Sequence, residues 1–299
     1  MSLSRFVLSL VVVGAALAGC AKPPADRDLM TRTGKGDITN SIIDPAAGSA
    51  LRAYQPVLEQ PMPERIFASG KLGGRTLAVG TTTDIVLRPG EVVLTFDDGP
   101  RPGKTGEILA TLDQFGVKAT FLMLGSAAQA HPDLAQQVAL RGHTVGSHTY
   151  SHIDLSHLER QDAIDEIAKG ERAVSAALAG AGQRLSPFFR FPYLAQTSFL
   201  RTNLLQGNVV VLDVDIDSKD YYKDTAETVT NRTLARLDAR GSGVILFHDI
   251  HQRTVDLLPG FLAQLQERGY TVVRLVPKDN SIFGRDIITA DGAALRGSL

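Results

Sequence analysis

From Gly90 onward the apolar residues recur in two rhythms. Short apolar runs of strand length stand at 91–96, 118–124, 143–148, 188–191, 209–215, 244–247 and 270–276. Between them lie longer segments with helical patterning, at 105–115, 132–141, 159–178, 198–206, 225–239 and 255–268. In the third of these, Ile164, Ile167, Ala168 and Val174 recur near helical spacing beside a charged face. Repeated strand–helix alternation predicts an α/β fold with a parallel sheet covered by helices. About seven parallel strands suffice for a distorted, incomplete (β/α) barrel, and an open doubly wound sheet satisfies the same pattern. The sequence holds no internal repeat, and no Gly-x-Gly-x-x-Gly loop follows the first strand to support a dinucleotide site.

Before Gly90 the pattern weakens. Residues 76–79 and 82–87 read as short strands within an N-terminal extension, 50–90. Residues 20–49 are polar and turn-rich, with Pro23-Pro24, Gly34 and Gly36, and read as a tether. The first 19 residues have the form of an export signal: Arg5 precedes an apolar run at 6–17 that is short for a permanent span. That run ends in Leu17-Ala18-Gly19-Cys20, which resembles the lipobox of bacterial lipoproteins, where the cysteine is lipidated after cleavage. The expected organisation is therefore signal 1–19, lipidated tether 20–49, extension 50–90, one catalytic domain 91–278 and a tail 279–299. The expected location is outside the cytoplasm, on a bacterial membrane.

Composition narrows the chemistry. Cys20 is the single cysteine, so the mature chain has no disulfide and must rely on a core, which 43% hydrophobic residues can build. A formal net charge of −1 gives no basic surface for phosphates, which argues against nucleic acid and for a neutral polymer.

Polar and titratable residues gather where the predicted strands end, and in a parallel barrel those ends share one mouth. Thr95-Phe96-Asp97-Asp98-Gly99-Pro100 ends the first strand. Its adjacent carboxylates point to different sides, so one can hold a metal while the other handles a proton, although Asp-Asp-Gly-Pro is also an ordinary turn. His148-Thr149-Tyr150-Ser151-His152 ends the third, and histidines four apart converge on one ion if the segment turns helically. Together with an aspartate from another strand end, they make a two-nitrogen, one-oxygen site with open positions, the arrangement of a catalytic metal. Arg190-Phe191-Pro192-Tyr193 offers a guanidinium fork for a carboxylate and backbone N–H groups at a rigid turn; the bland reading is a surface charge. Asp213, Asp215, Asp217 and Asp220, followed by Tyr221 and Tyr222, are either solvated loop acids or a calcium-like cluster. In Leu246-Phe247-His248-Asp249 the histidine follows a buried-looking run and is either a core residue or a functional one.

In order and content these five clusters resemble the polysaccharide deacetylase family, the NodB-homology domain of carbohydrate esterase family 4. The resemblance runs from about Glu91 to Val276 and includes Lys118-Ala119-Thr120-Phe121 and Gly142-His143-Thr144-Val145-Gly146. It implies that Asp97 is the general base, that Asp98, His148 and His152 bind a divalent metal, and that His248 is the general acid. It further implies that Arg190 orients the base, that Asp220 tunes the acid, that the Tyr193 amide helps hold the oxyanion, and that Leu246 lines the acetyl-methyl pocket. The family's glycine after the Pro-Tyr pair is Leu194 here, and its tryptophan after the fourth-motif aspartate is Tyr221; both shape the substrate groove. Zinc leads the candidate metals, with cobalt, nickel or manganese as alternatives. The implied reaction is hydrolysis of acetamides on an N-acetylglucosamine-type glycan. De-O-acetylation of an acetylated glycan, or glycan binding without catalysis, are the competing readings.

Overall fold

In the computed structural model, which describes residues 71–278 and the backbone of two short strands near the C-terminus, the apolar runs become parallel strands of a single sheet. The strands are β1 (Gly73–Val79), β2 (Glu91–Asp97), β3 (Thr120–Met123), β4 (Thr144–Ser147), β5 (Phe188–Phe189), β6 (Val210–Val211), β7 (Ile216–Asp217), β8 (Gly243–His248) and β9 (Thr271–Pro277). The helices are α1 (Thr105–Gln114), α2 (Gly125–Ala130), α3 (Pro132–Leu140), α4 (Arg160–Ala179), α5 (Ser198–Gln206), α6 (Ala226–Arg240) and α7 (Gln252–Glu267). The two short C-terminal strands, Ile287–Ile288 and Ala294–Leu295, pair antiparallel with each other. Among the described residues no helix is long and apolar enough to cross a membrane.

Pairing runs β7-β8-β2-β3-β4-β5-β6, with every ladder parallel. Among the described residues β6 and β7 share no ladder, so the barrel is open there, as an incomplete (β/α) barrel requires. Strand alternation sorts the side chains into two sets. Val93, Leu122, Phe188, Val210, Leu212 and Val244 face one another in the interior. Their neighbours Leu94, Phe96, Phe121, Ile245 and Phe247 point outward and pack under the helices with Leu109, Leu112, Phe261 and Leu262. A fully buried side chain of this kind stabilises the fold by about 1.5–3 kcal/mol relative to exposure. Helices start and stop by local chemistry: Thr197 and Thr225 cap α5 and α6 through their hydroxyls, and Gly241 ends α6 at a φ of 85°.

Three expectations differ from the structure. The segment 209–215, expected as one strand, is a strand only at β6, and β7 follows it at Ile216–Asp217. Its acids cannot remain in an apolar interior, so Asp213 turns out to Arg201 at 2.7 Å and Asp215 to Arg240 and the Val244 amide. The stretch 82–87 is not a strand. Asp84 accepts the amides of Gly80 (2.8 Å) and Thr81 (3.0 Å), which closes a 3₁₀ turn at Thr82–Asp84. The sheet has nine strands because β7 is added and because β1, from the segment before Glu91, lies parallel to β9. β9 in turn pairs with the start of β2, and Val79, Val273 and Leu275 pack on the interior cluster. Arg75 on β1 grips Glu91 at 2.7 and 2.9 Å; that bond holds the Glu91 carboxyl down at about 2 although burial opposes it.

Candidate active site and metal centre

Parallel register brings the C-terminal ends of β2 and β8 level, with Asp97 beside His248 and Thr95 beside Leu246. Period two then turns Thr95 and Asp97 to the same interior face. Asp97, 2% exposed, accepts Arg190 Nη1 on Oδ1 at 2.8 Å. The same Nη1 donates to Thr95 Oγ1 at 2.8 Å, and that hydroxyl in turn donates to the Ile245 carbonyl at 2.7 Å. Arg190 Nε donates to the Leu212 carbonyl at 3.0 Å. A guanidinium 1% exposed is thus anchored to three acceptors through Nε and Nη1 and has one carboxylate as its counter-charge. It leaves Asp97 Oδ2 facing the mouth.

Asp98 follows with a φ of 76°, so the chain turns sharply and its carboxylate leaves the side taken by Asp97. Asp98 Oδ1 lies 3.5 Å from His148 Nε2 and 3.4 Å from His152 Nε2, and the three ligand atoms fall within 4.8 Å of one another. Donor atoms of one tetrahedral ion at about 2.0–2.2 Å sit roughly 3.3–3.6 Å apart, so the spacing fits a divalent cation of zinc size. Two further observations favour that fit. Asp98 Oδ1 is buried with no hydrogen-bond partner. The His148 ring, 2% exposed, must donate through Nδ1 to the Arg190 carbonyl at 2.8 Å, which leaves the Nε2 lone pair aimed at Asp98. Burial, only partly opposed by the nearby carboxylates, lowers the His148 pKa and keeps the ring neutral, as a ligand must be.

The histidines converge without the helical turn that their spacing suggests. Residues 148–152 form a loop in which Thr149 (φ 69°) and His152 (φ 60°) are left-handed, and the His152 amide closes onto Thr149 Oγ1 at 3.2 Å. Helix α4 holds the loop from outside, because Glu166 accepts both the amide and the hydroxyl of Ser151 at 2.6 Å. The approach is close enough to require glycine: a Cβ at Gly170 would stand 2.3 Å from the Thr149 carbonyl carbon.

His248 is anchored from the other side of the mouth. Its Nδ1 meets Asp220 Oδ1 at 2.7 Å, and its amide donates to Asp220 Oδ2 at 2.7 Å. Thr254 on α7 adds a hydroxyl to Oδ2 at 2.6 Å. Burial disfavours the charged imidazole, but the Asp220 bond and charge, with the charges of Asp97 and Asp98, outweigh it and raise the pKa to about 9. The Asp220 carboxyl, 0% exposed, is held low despite its burial by His248 and Thr254. With Nδ1 committed, Nε2 is the nitrogen free to act.

Residues around the mouth complete it. Tyr193 has a φ of 57° and packs its ring edge-on to His152 at 4.6 Å. Tyr221 stands edge-on to His248 at 5.4 Å, and its hydroxyl is tied to Asp217 at 2.9 Å. Leu246, on the face of His248, is buried. A cleft of about 450 Å³ opens beside Asp98 and His152, lined also by Arg101, His131, Leu124 and Ile250. Of the four acids in the fourth cluster only Asp220 reaches the site, so they form no calcium-like group. Sequence reasoning passed over Thr95, Thr254 and Asp249. Thr95 had a signal, since it lies two residues before Asp97 on the same strand; Thr254 is placed by helix docking and had none. Cys20 lies outside the described residues.

The model of the family described as polysaccharide deacetylase matches residues 86–211. The chain is 32% identical over 214 residues to a chitin deacetylase of Colletotrichum lindemuthianum, covering 68% of this chain and 84% of that one. The chain belongs to the polysaccharide deacetylase family. The chain is also 34% identical over 192 residues to a peptidoglycan-N-acetylglucosamine deacetylase of Bacillus cereus, covering 62% of this chain and 66% of the relative. Among solved structures, the peptidoglycan deacetylase of Bdellovibrio bacteriovorus superposes with a TM-score of 0.61 at 33% identity, covering 71% of this chain and 58% of that chain. A Streptomyces lividans family 4 carbohydrate esterase in complex with acetate superposes with a TM-score of 0.56 at 30% identity, covering 64% of this chain and 98% of that one. The chain thus spans less than two thirds of the length of some relatives and nearly all of others. The family match stops before Asp220 and His248, and the fold brings these two to the site.

Proposed function

We propose that this chain hydrolyses acetamide groups on an N-acetylglucosamine-type polysaccharide or oligosaccharide, releasing acetate and leaving a free amine. The observation that carries this reading is the junction at one strand-end mouth of Asp97 on Arg190, the Asp98–His148–His152 cluster and His248 on Asp220. The relatives named for action on chitin and on peptidoglycan N-acetylglucosamine support the choice of substrate. Asp98, His148 and His152 would hold a divalent ion, zinc first, which would supply Lewis acidity toward a water and the acetamide carbonyl.

Asp97 takes the proton of the attacking water through Oδ2, since Arg190 occupies Oδ1 and fixes the carboxylate in place. The Tyr193 amide donates to the oxyanion that develops on the carbonyl, and Leu246 receives the acetyl methyl group. Tyr193 and Tyr221 wall the groove in which the sugar lies. His248 then gives its Nε2 proton to the nitrogen as the C–N bond breaks, because an amine departs poorly as an anion. The Asp220 partner holds that proton on the ring against the pull of burial, and an amine leaving group needs it more than an ester leaving group does. Acetate release from a matched panel of N-acetylated and O-acetylated glycans, with the full chain loaded with zinc, tests the reading. Faster release from the O-acetylated members would overturn it.

The proposed location is the outer side of a bacterial membrane, with lipid on Cys20 and residues 20–49 as tether. Cys20→Ser is expected to abolish fatty-acid labelling and to move the protein from the membrane to the soluble fraction. Labelling that persists in this variant would exclude the anchor.

A further inference from the structure

The carboxylate of Asp249 takes no part in the chemistry above, yet it is 1% exposed and sits where three site-bearing segments meet. Thr105, the first residue of α1, donates its hydroxyl to Asp249 Oδ2 at 2.6 Å. Because that hydroxyl also accepts the Arg101 amide at 2.7 Å, its one proton is committed to Asp249. The Asp249 amide donates to the Asp97 carbonyl at 3.3 Å, and Asp249 Oδ1 has no hydrogen-bond partner. Burial is the main force on this carboxyl and pushes it up to about 7, with the Thr105 bond opposing.

Gly99 lies flat against the same carboxylate. A Cβ at position 99 would stand 2.1 and 2.2 Å from the two Asp249 oxygens and 2.4 Å from Cγ, and these are its three nearest atoms. Gly99 is not among the residues with positive φ, so its backbone would accept alanine, but a methyl group there would have to displace the Asp249 side chain. Asp98, the residue before it, carries the oxygen that faces both histidines from a left-handed conformation. A non-glycine residue held in that conformation is strained and persists only where its surroundings impose it.

We propose that Asp249 is a positioning residue for the metal centre: its carboxylate is the surface on which the Asp98-Gly99-Pro100 turn is laid, and it locks that turn to the strand end carrying His248. The inference rests on the metal reading of the preceding subsection. Outer partners of this kind change metal affinity by about 10–100-fold when removed.

Zinc titrated calorimetrically into the demetallated full chain tests it, with circular dichroism and Tm on every variant. Asp249→Ala and Gly99→Ala are each expected to lose about 10–100-fold in zinc affinity while remaining folded. The double variant Gly99→Ala/Asp249→Ala is expected to bind about tenfold more tightly than Gly99→Ala alone, because the new methyl group enters the space the carboxylate leaves. Wild-type affinity in folded Asp249→Ala, or a double variant no tighter than Gly99→Ala, overturns the proposal, as does a fall in Tm with zinc affinity unchanged. Should Asp249→Ala fail to fold, wild-type zinc affinity in both Gly99→Ala and Asp249→Asn overturns it. A wild-type chain that takes up no divalent ion overturns the metal reading and this inference with it.

Discussion

Asp97→Asn is expected to cut turnover by about 10² to 10⁴ while the protein still holds its metal. Asparagine keeps the shape of the side chain and can still accept Arg190 Nη1, but it cannot take a proton from water. Asp98→Asn should fail in the opposite way, with weakened metal binding and activity partly recovered in excess ion. The geometry distinguishes the neighbours. Asp98 Oδ1 is close to both histidines, at 3.5 and 3.4 Å, whereas Asp97 approaches His148 alone, at 3.7 Å, and gives its other oxygen to Arg190. Asp97→Asn will also lower stability, because Arg190 is buried and loses its counter-charge. Breaking a buried pair costs about 3–5 kcal/mol, so metal content and acetate release must be read on protein verified as folded. If Asp97→Asn loses the metal and Asp98→Asn keeps it, the two roles are reversed.

His248→Ala should be comparably severe, with a loss of about 10² to 10⁴ on acetamide substrates. The loss should shrink on an aryl acetate, whose leaving group departs without a proton. Equal losses on both substrates would mean that His248 is not the proton donor. Asp220→Asn refines the test through the pH profile. A general acid works while protonated, and in the folded chain Asp220 helps raise the His248 pKa to about 9, so activity should extend into mildly alkaline solution. A bound cation pulls that value down but does not alter the direction of the comparison. Without the Asp220 charge, burial prevails and the alkaline limb of kcat/KM should move to lower pH, with the greatest loss above neutrality. An alkaline limb unmoved in Asp220→Asn would detach it from His248.

The strand ends are readable from the chain because a buried parallel strand must be an apolar run, and the polar residues that close such a run leave the core, either at the mouth or for the surface. Residue type and position mark Asp97, Asp98, His148, Arg190 and His248 as candidates, each beside a bland alternative, and it is the family resemblance that implies their roles. Period two also places Thr95 with Asp97 and Leu246 with His248. The second approach, of segments far apart in sequence, is settled by packing. Nothing local says that Asp213 and Asp215 leave for Arg201 and Arg240 while Asp220 turns inward to His248, because all four acids follow the same Val-rich run. Nor does a four-residue spacing reveal that His148 and His152 converge through two left-handed residues pinned by α4, in place of a helical turn. The part played by Asp249 is of the same kind. Its steric meaning exists only because β8 delivers it beneath Gly99, and contact between residues 150 positions apart is a property of the folded chain, which side-chain types and their spacing do not encode.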